Sequence, residues 1–314
     1  MTVLHRFAGD TVESDIALAL PGPEADPIGE IDVTVRVTKA DRLPDVRLGT
    51  VLQDGVMSAM HWRFGTAADP ADGWMFGFGN AAAGTITPDR SQVEIVARRE
   101  VPDEWIGEAI VAWALVYRLA VGGRTTFHGS AVTLDGDAAV AVLGPTTSGK
   151  STLAAASLAL GARMIADDVL APRWSHGDVL LDPTGTAVKL RGSAQELADH
   201  VDGGPDAPHR HTTFDDRLSV DAVLATGPAR LSRLFFLDPG GPDGIHPIDE
   251  IAVATRLVAN AKVGVWNSAD ALGDDFEAAC DLADAVPGYL IGRSATTSSP
   301  RPETLLRLAR SLFE

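Results

Sequence analysis

The sequence predicts an α/β protein, and three observations carry that prediction. Strand-like runs fill the first hundred residues, and from about residue 102 helix and strand signals alternate. One strand, "AAVAVL", then runs straight into the glycine-rich stretch Gly144–Ser151.

In order, "IDVTVRV" alternates apolar and polar positions at Val33, Val35 and Val37, the period of a half-buried strand. "TVLQDGVMSAMHWRF" carries Asp54-Gly55 between two strand-like runs and predicts a hairpin there. "GWMFGFG" and "QVEIVARR" continue the pattern without a catalytic constellation, so 1–102 is expected to be a mainly-β accessory or substrate-docking domain. At Pro102 and Asp103 the period changes to that of a helix. Its apolar face runs Ile106, Ile110, Trp113, Tyr117 and Ala120, and Gly122-Gly123 ends it. "TTFHGSAVTLDGDAAVAVLG" predicts two strands joined around Asp135-Gly136. A helix near 151–160 and a strand near 163–166 follow, then a helix at "AQELADHV" and a strand at "RLFFLD". Helices near 250–259 and 275–285 complete a second domain over 103–314. Residues 202–216 read as a long polar loop, and "SATTSSPRPE" as a short linker before a last helix.

The 314 residues carry a net charge of −17, which argues against nucleic acid or an anionic membrane as the main partner. A single cysteine, Cys280, excludes an internal disulfide and favours a reducing compartment. No basic start followed by an apolar core opens the chain, and the most apolar helical stretch, 105–121, is broken by Glu108 and Arg118. The expectation is a cytoplasmic protein; a homo-oligomer is compatible with it.

Gly144–Ser151 reads G-P-T-T-S-G-K-S, a full match to G-x-x-x-x-G-K-[ST] in the required setting between strand and helix. Glycines let such a backbone wrap a polyphosphate with its N–H groups inward, and the helix N-terminus adds positive potential. Nucleotide binding is the expectation, with Lys150 on the β- and γ-phosphates and the Ser151 hydroxyl on Mg²⁺. Seventeen residues past that serine, Asp167-Asp168 end the next strand, where open α/β sheets gather ligands. One carboxylate can steer magnesium while the other accepts a proton from an attacking hydroxyl.

With these residues the chain resembles the HPr kinase/phosphorylase family. "HGSAVTLDG" from His128, "GPTTSGKS" and "GARMIADD" match its pieces in order. The resemblance implies a P-loop kinase core of the HPr kinase/phosphoenolpyruvate carboxykinase type behind the N-terminal mainly-β domain. It implies Asp168 as proton acceptor, with Asp167, Asp168 and Ser151 around Mg²⁺ and His128 in the active site. The resemblance also implies a further arginine, closest to Arg230 or Arg233. It covers about residues 105–240 and departs from the family at "VKLRGS", where Lys189 replaces a metal-binding glutamate ahead of Arg191. No counterpart of the family's C-terminal basic loop is visible. The opening "FAGDTVESDIALALPG" is similar instead to HPr-kinase-like proteins that include kinases of lasso-peptide precursors, and "KLRG" fits that group.

The leading expectation is therefore a serine kinase acting on a peptide or small protein. ATP would lie across Gly144, Pro145, Thr146, Thr147, Ser148, Gly149, Lys150, Ser151 and Thr152. Lys150, His128 and Arg191 would stabilise the transferring group. A small-molecule hydroxyl such as that of a free amino acid is the alternative acceptor, and a nucleotide-sensing protein with little chemistry is the alternative class.

Overall fold

The computed structural model describes all residues except 1, 23–29, 58–59, 202–209, 214–215, 263–268 and 293–301. Most of the polar loop 202–216 and of the linker 294–303 therefore lies outside the described residues. The chain is mixed α/β with large sheets and few helices, and its contacts divide it into two compact units. One comprises Met1–Arg124 with Val263–Asp274, the other Thr125–Lys262 with Asp275–Glu314.

The first unit holds β1 (Val3–Phe7), β2 (Asp10–Ser14), β3 (Val33–Ala40), β4 (Leu48–Met57), β5 (Met60–Ala67), β6 (Trp74–Phe78), β7 (Ala82–Ile86) and β8 (Gln92–Arg98). They form one sheet in the order β1-β2-β3-β8-β7-β6-β5-β4. Asp54 and Gly55 are not a turn, as expected from the dipeptide, but lie inside β4 opposite Arg63 and Trp62. The reason is the Trp62 ring: a Cβ at residue 55 would collide with it, so glycine makes room for an aromatic side chain across the strand pair. The helical stretch that follows is α1 (Asp103–Ala109), a π-helical turn (Ile110–Ala114) and α2 (Leu115–Ala120).

This stretch packs on the sheet. Trp113 stacks on Trp62 at 5.0 Å between ring centroids, Tyr117 meets Phe64 at 4.9 Å, and the Tyr117 hydroxyl donates to the Gly65 carbonyl at 3.1 Å. Such aromatic pairs each contribute about 0.5–1.5 kcal/mol beyond area burial. The division of the chain therefore falls at residue 124 and not at 102. The change of period marked where helix begins, whereas the aromatic contacts decide which unit owns it.

In the second unit, β9 (Gly129–Thr133) and β10 (Ala138–Leu143) are joined through Gly136, whose φ of 92° suits glycine. Then come α3 (Lys150–Leu158), β11 (Arg163–Asp167), β12 (Pro172–Ser175), β13 (Asp178–Leu181) and β14 (Ala187–Leu190). A 3₁₀ helix (Gly192–His200) stands where an α-helix was expected. Its edges close with short-range bonds, Ala194 N to Arg191 O and Val201 N to Ala198 O, and Leu197 and Ala198 are buried. β15 (Arg210–Thr212), β16 (Leu218–Asp221), β17 (Ala229–Leu237), β18 (Ile245–Ile248), α4 (Glu250–Ala259), α5 (Ala269–Ala285, which belongs to this unit from Asp275 on), β19 (Gly288–Ile291) and α6 (Pro302–Ser311) follow.

The central sheet runs β11-β9-β10-β17, with β19 and the β12–β13 hairpin attached to β17. β10 pairs parallel to β17 and antiparallel to β9, which in turn pairs antiparallel to β11. β10 and β11 thus point the same way, one strand apart, and end at the same edge. Alternate residues of β10 build both cores. Val140 and Val142 join Leu153, Leu305 and Ala309 of α3 and α6, while Ala139 and Ala141 join Leu257 and Leu282 of α4 and α5. A small sheet of β14, β16 and β15 adds Val188, Leu190 and Val220 to the α3 side.

Candidate functional site

Between β10 and α3 the chain makes a tight loop that only particular residues allow. Gly144 and Gly149 take φ of 147° and 103°, in the range that favours glycine. At Gly144 a Cβ would also meet the Leu237 carbonyl oxygen at 2.9 Å. Thr147 adopts φ 67° without that freedom. The Lys150 side chain folds back over the loop, donating to the carbonyl oxygens of Gly144 at 2.8 Å and Pro145 at 2.9 Å. Burial lowers the Lys150 pKa to about 8 against the opposing pull of Asp168 and Asp167. Pro145 and Thr146 are exposed, Ser148 is buried, and Ser151 and Thr152 are half-buried in the first turn of α3.

Asp167 and Asp168 are neighbours in sequence, and their surroundings differ in kind. Asp167 Oδ1 accepts from the Ser130 hydroxyl at 2.6 Å and the Ser151 hydroxyl at 2.8 Å; its Oδ2 accepts from the Lys189 backbone N–H at 2.8 Å. All three donors are neutral. Asp168 instead sits between an imidazole and an ammonium group. His128 Nδ1 lies 2.9 Å from Oδ1 and Lys262 Nζ 2.8 Å from Oδ2. Burial favours its protonated form, but Lys262 and His128 outweigh burial and hold the carboxyl well below the usual range. Its backbone takes φ 87°, tied by Asp168 N to the Gly129 carbonyl at 2.9 Å. A non-glycine residue in that region costs about 1–3 kcal/mol, and such strain concentrates at functional sites.

Two residues absent from the sequence reading complete the cluster, and both lie just after α4. The Asn260 side-chain oxygen accepts from Gly144 N at 3.1 Å, and its backbone oxygen accepts from His128 N at 2.7 Å. Lys262 N donates to the Thr126 carbonyl at 2.7 Å while its side chain, 6% exposed, reaches Asp168. Burial lowers the Lys262 pKa, opposed by Asp168. Arg217, immediately before β16, is near enough for its charge to act on Lys150, Asp168 and Lys262 alike. Composition held one signal for Lys262. The chain has only four lysines among 26 basic residues, and Lys150, Lys189 and Lys262 all converge here.

The structure thus brings Lys150, Ser151, Asp167, Asp168 and His128 together. It does not bring the expected arginine. Arg230 pairs with Ala138 at the start of the parallel β10–β17 ladder, while the loop leaves the far end, where Leu143 pairs with Phe236. Six residues of strand, about 20 Å, separate the two. Arg233 donates to the carbonyl oxygens of Leu312 at 3.1 Å and Glu314 at 3.3 Å, beyond α6. Arg191 is exposed, two residues past Lys189.

Ser151 and Asp167 place a hydroxyl and a carboxylate oxygen side by side, a hard-oxygen pair suited to Mg²⁺. Among the described residues no group of three or more His, Cys, Asp or Glu could hold a metal by itself. A cation here would need further oxygens from a ligand or water. No helix of the described residues is long and apolar enough to cross a membrane.

No protein-family model matches the chain, and no curated protein matches it. Among solved structures, the Hpr(Ser) kinase/phosphatase from Coxiella burnetii aligns at a TM-score of 0.31 and 13% sequence identity, covering 60% of this chain and 93% of that one.

Proposed function

We propose that the chain is a magnesium- and ATP-dependent kinase that moves the γ-phosphoryl group to a serine hydroxyl of a peptide or small protein. The observation that carries this reading is the bond from the Ser151 hydroxyl to Asp167 at the mouth of the glycine-rich loop, with Asp168 beside it. In this reading the loop that would hold polyphosphate and the carboxylate that would accept the proton share one sheet edge.

ATP would draw the Lys150 ammonium away from the Gly144 and Pro145 carbonyls, since a phosphate is the stronger partner. Ser151 and Asp167 would hold Mg²⁺, which when bound neutralises charge on the phosphates. Lys150 and His128 then face the group in transfer, with Arg217 adding positive field. Asp168 is positioned to take the proton from the serine hydroxyl as its oxygen bonds to phosphorus and ADP leaves. The likeness of "HGSAV", "GPTTSGKS" and "GARMIADD" to HPr-kinase-like proteins supports the reading, and the N-terminal likeness points to the C-terminal serine of a lasso-peptide precursor as acceptor.

Incubation with ATP, Mg²⁺ and serine-ended peptides, read by mass spectrometry, tests this. The expected result is one added phosphoryl group on the serine. Phosphorylation of free amino acids alone would move the acceptor class to small molecules. Tight nucleotide binding with no transfer would make the chain a nucleotide sensor.

A further inference from the structure

The Asp168 carboxylate is gripped from two directions. His128, just before β9, holds one oxygen at 2.9 Å, and Lys262, two residues past the Asn260 that caps α4, holds the other at 2.8 Å. Neither group alone would determine the plane of the carboxylate; together they do. The backbone beneath it is in a region an aspartate rarely adopts, φ 87°, so orientation here is imposed from outside the residue. Both side chains of the Lys262–Asp168 pair are nearly enclosed, at 6% and 10% exposure. Buried ion pairs generally add less stability than apolar residues of the same volume, so stability alone gives little reason for one at this position. The segment also touches other parts of the cluster, since Asn260 holds the first loop amide at Gly144 and the backbone of His128.

We propose that Lys262 is a positioning residue for phosphoryl transfer, holding the Asp168 carboxylate toward the acceptor while the Asn260 side chain anchors the start of the loop. This rests on the kinase reading given above. Lys262 acts through Asp168 and not on the nucleotide. Its removal should therefore spare nucleotide binding and slow turnover.

The test uses the full chain with Lys262→Met, Lys262→Arg, Asp168→Asn and the Lys262→Met/Asp168→Asn double variant. MgATP affinity is measured by calorimetry, turnover by phosphate transfer to a serine-ended peptide, and stability by thermal unfolding. Lys262→Met is expected to keep MgATP affinity within about threefold while kcat falls by about 10²-fold, the scale for a misplaced reacting group. Lys262→Arg should recover part of that loss. In the unfolding series, the double variant should lose less than the sum of the two single losses, because each single change strands a buried charge. Strictly additive losses would show that the pair does not form and would overturn the proposal, with the kinase reading untouched. Equal falls in affinity and kcat, with no recovery by arginine, would also overturn it by making Lys262 part of the fold only. A wild-type chain that binds MgATP but transfers to no acceptor would overturn the kinase reading, and with it the role in transfer, whatever the unfolding series shows.

Discussion

The two ends of the second unit's central sheet each hold an aspartate whose pKa is lowered, and they reach that state by different means. At the β9–β10 turn, Asp135 is fully exposed and is lowered by the backbone N–H groups of Ala138 and Asp137, with donor distances of 3.1 Å and 3.0 Å. At the opposite edge Asp168 is enclosed, and Lys262 and His128 overcome the effect of burial. At the turn end Arg230 is exposed, whereas the cations at the loop end, Lys150 and Lys262, have nearly no solvent contact. A turn that satisfies its own amides explains the first aspartate completely. Enclosed charges of both signs, beside a strained backbone and a glycine-rich loop, form the kind of environment in which functional sites concentrate.

The largest expected break in this contrast is Asp168→Asn. Turnover should fall by about 10²- to 10⁴-fold at unchanged nucleotide affinity, the usual range for loss of a general base. Wild-type turnover in this variant, measured at saturating Mg²⁺, would reduce the acid pair to a strand terminus. Next, Lys150→Ala should lower transfer by about 10²- to 10³-fold without unfolding the chain, because the side chain donates to carbonyls of the loop itself. Circular dichroism alongside the assay separates lost chemistry from lost fold.

Lys150 also sets a pH dependence. Its pKa is lowered from the model-compound value of 10.5 to about 8, so the free protein carries fewer charged loop lysines as pH rises through 8. MgATP affinity should weaken above about pH 8. Over the interval between about 8 and 10.5 the unfolded chain binds more protons at this group than the folded one, so this residue's contribution to stability rises with pH. Binding titrations with Lys150→Arg, which keeps its charge, should lose the weakening; an unchanged profile would assign it to another group.

A smaller effect is expected at the neighbouring acid. Asp167→Asn should raise the magnesium needed for half-maximal turnover by about 10- to 100-fold and be rescued in part by excess metal. Rescue of Asp168→Asn instead would exchange the roles of the two acids. At the far end of the sheet, Arg230→Ala should change turnover less than twofold and stability by no more than about 0.5 kcal/mol, as for an ordinary surface position. A large loss of transfer in that variant would collapse the contrast between the two ends.

Much of this is legible in the sequence. The period of β10, the G-x-x-x-x-G-K-S spacing and the terminal Asp167-Asp168 are local patterns, and each maps onto a local element: a strand, a loop under α3 and the end of β11. Local bonding rules and alternation depend on near neighbours, so sequence carries them directly. The same reasoning misread Asp54-Gly55, because the group that requires glycine there is Trp62, across the strand pair. It also placed the unit boundary at 102, since helix type is local but the ring contacts of Trp113 and Tyr117 are not. Lys262 and Asn260 lie more than ninety residues past Asp168, in a stretch without a motif. Only the docking of α4 against the sheet brings them to the loop. Likewise, only the parallel register of β17 with β10 sends Arg230 to the far end. Sequence determined which groups could do chemistry near the loop; tertiary structure decided which charges stand beside Asp168, because electrostatic partnership depends on distance in space and not along the chain.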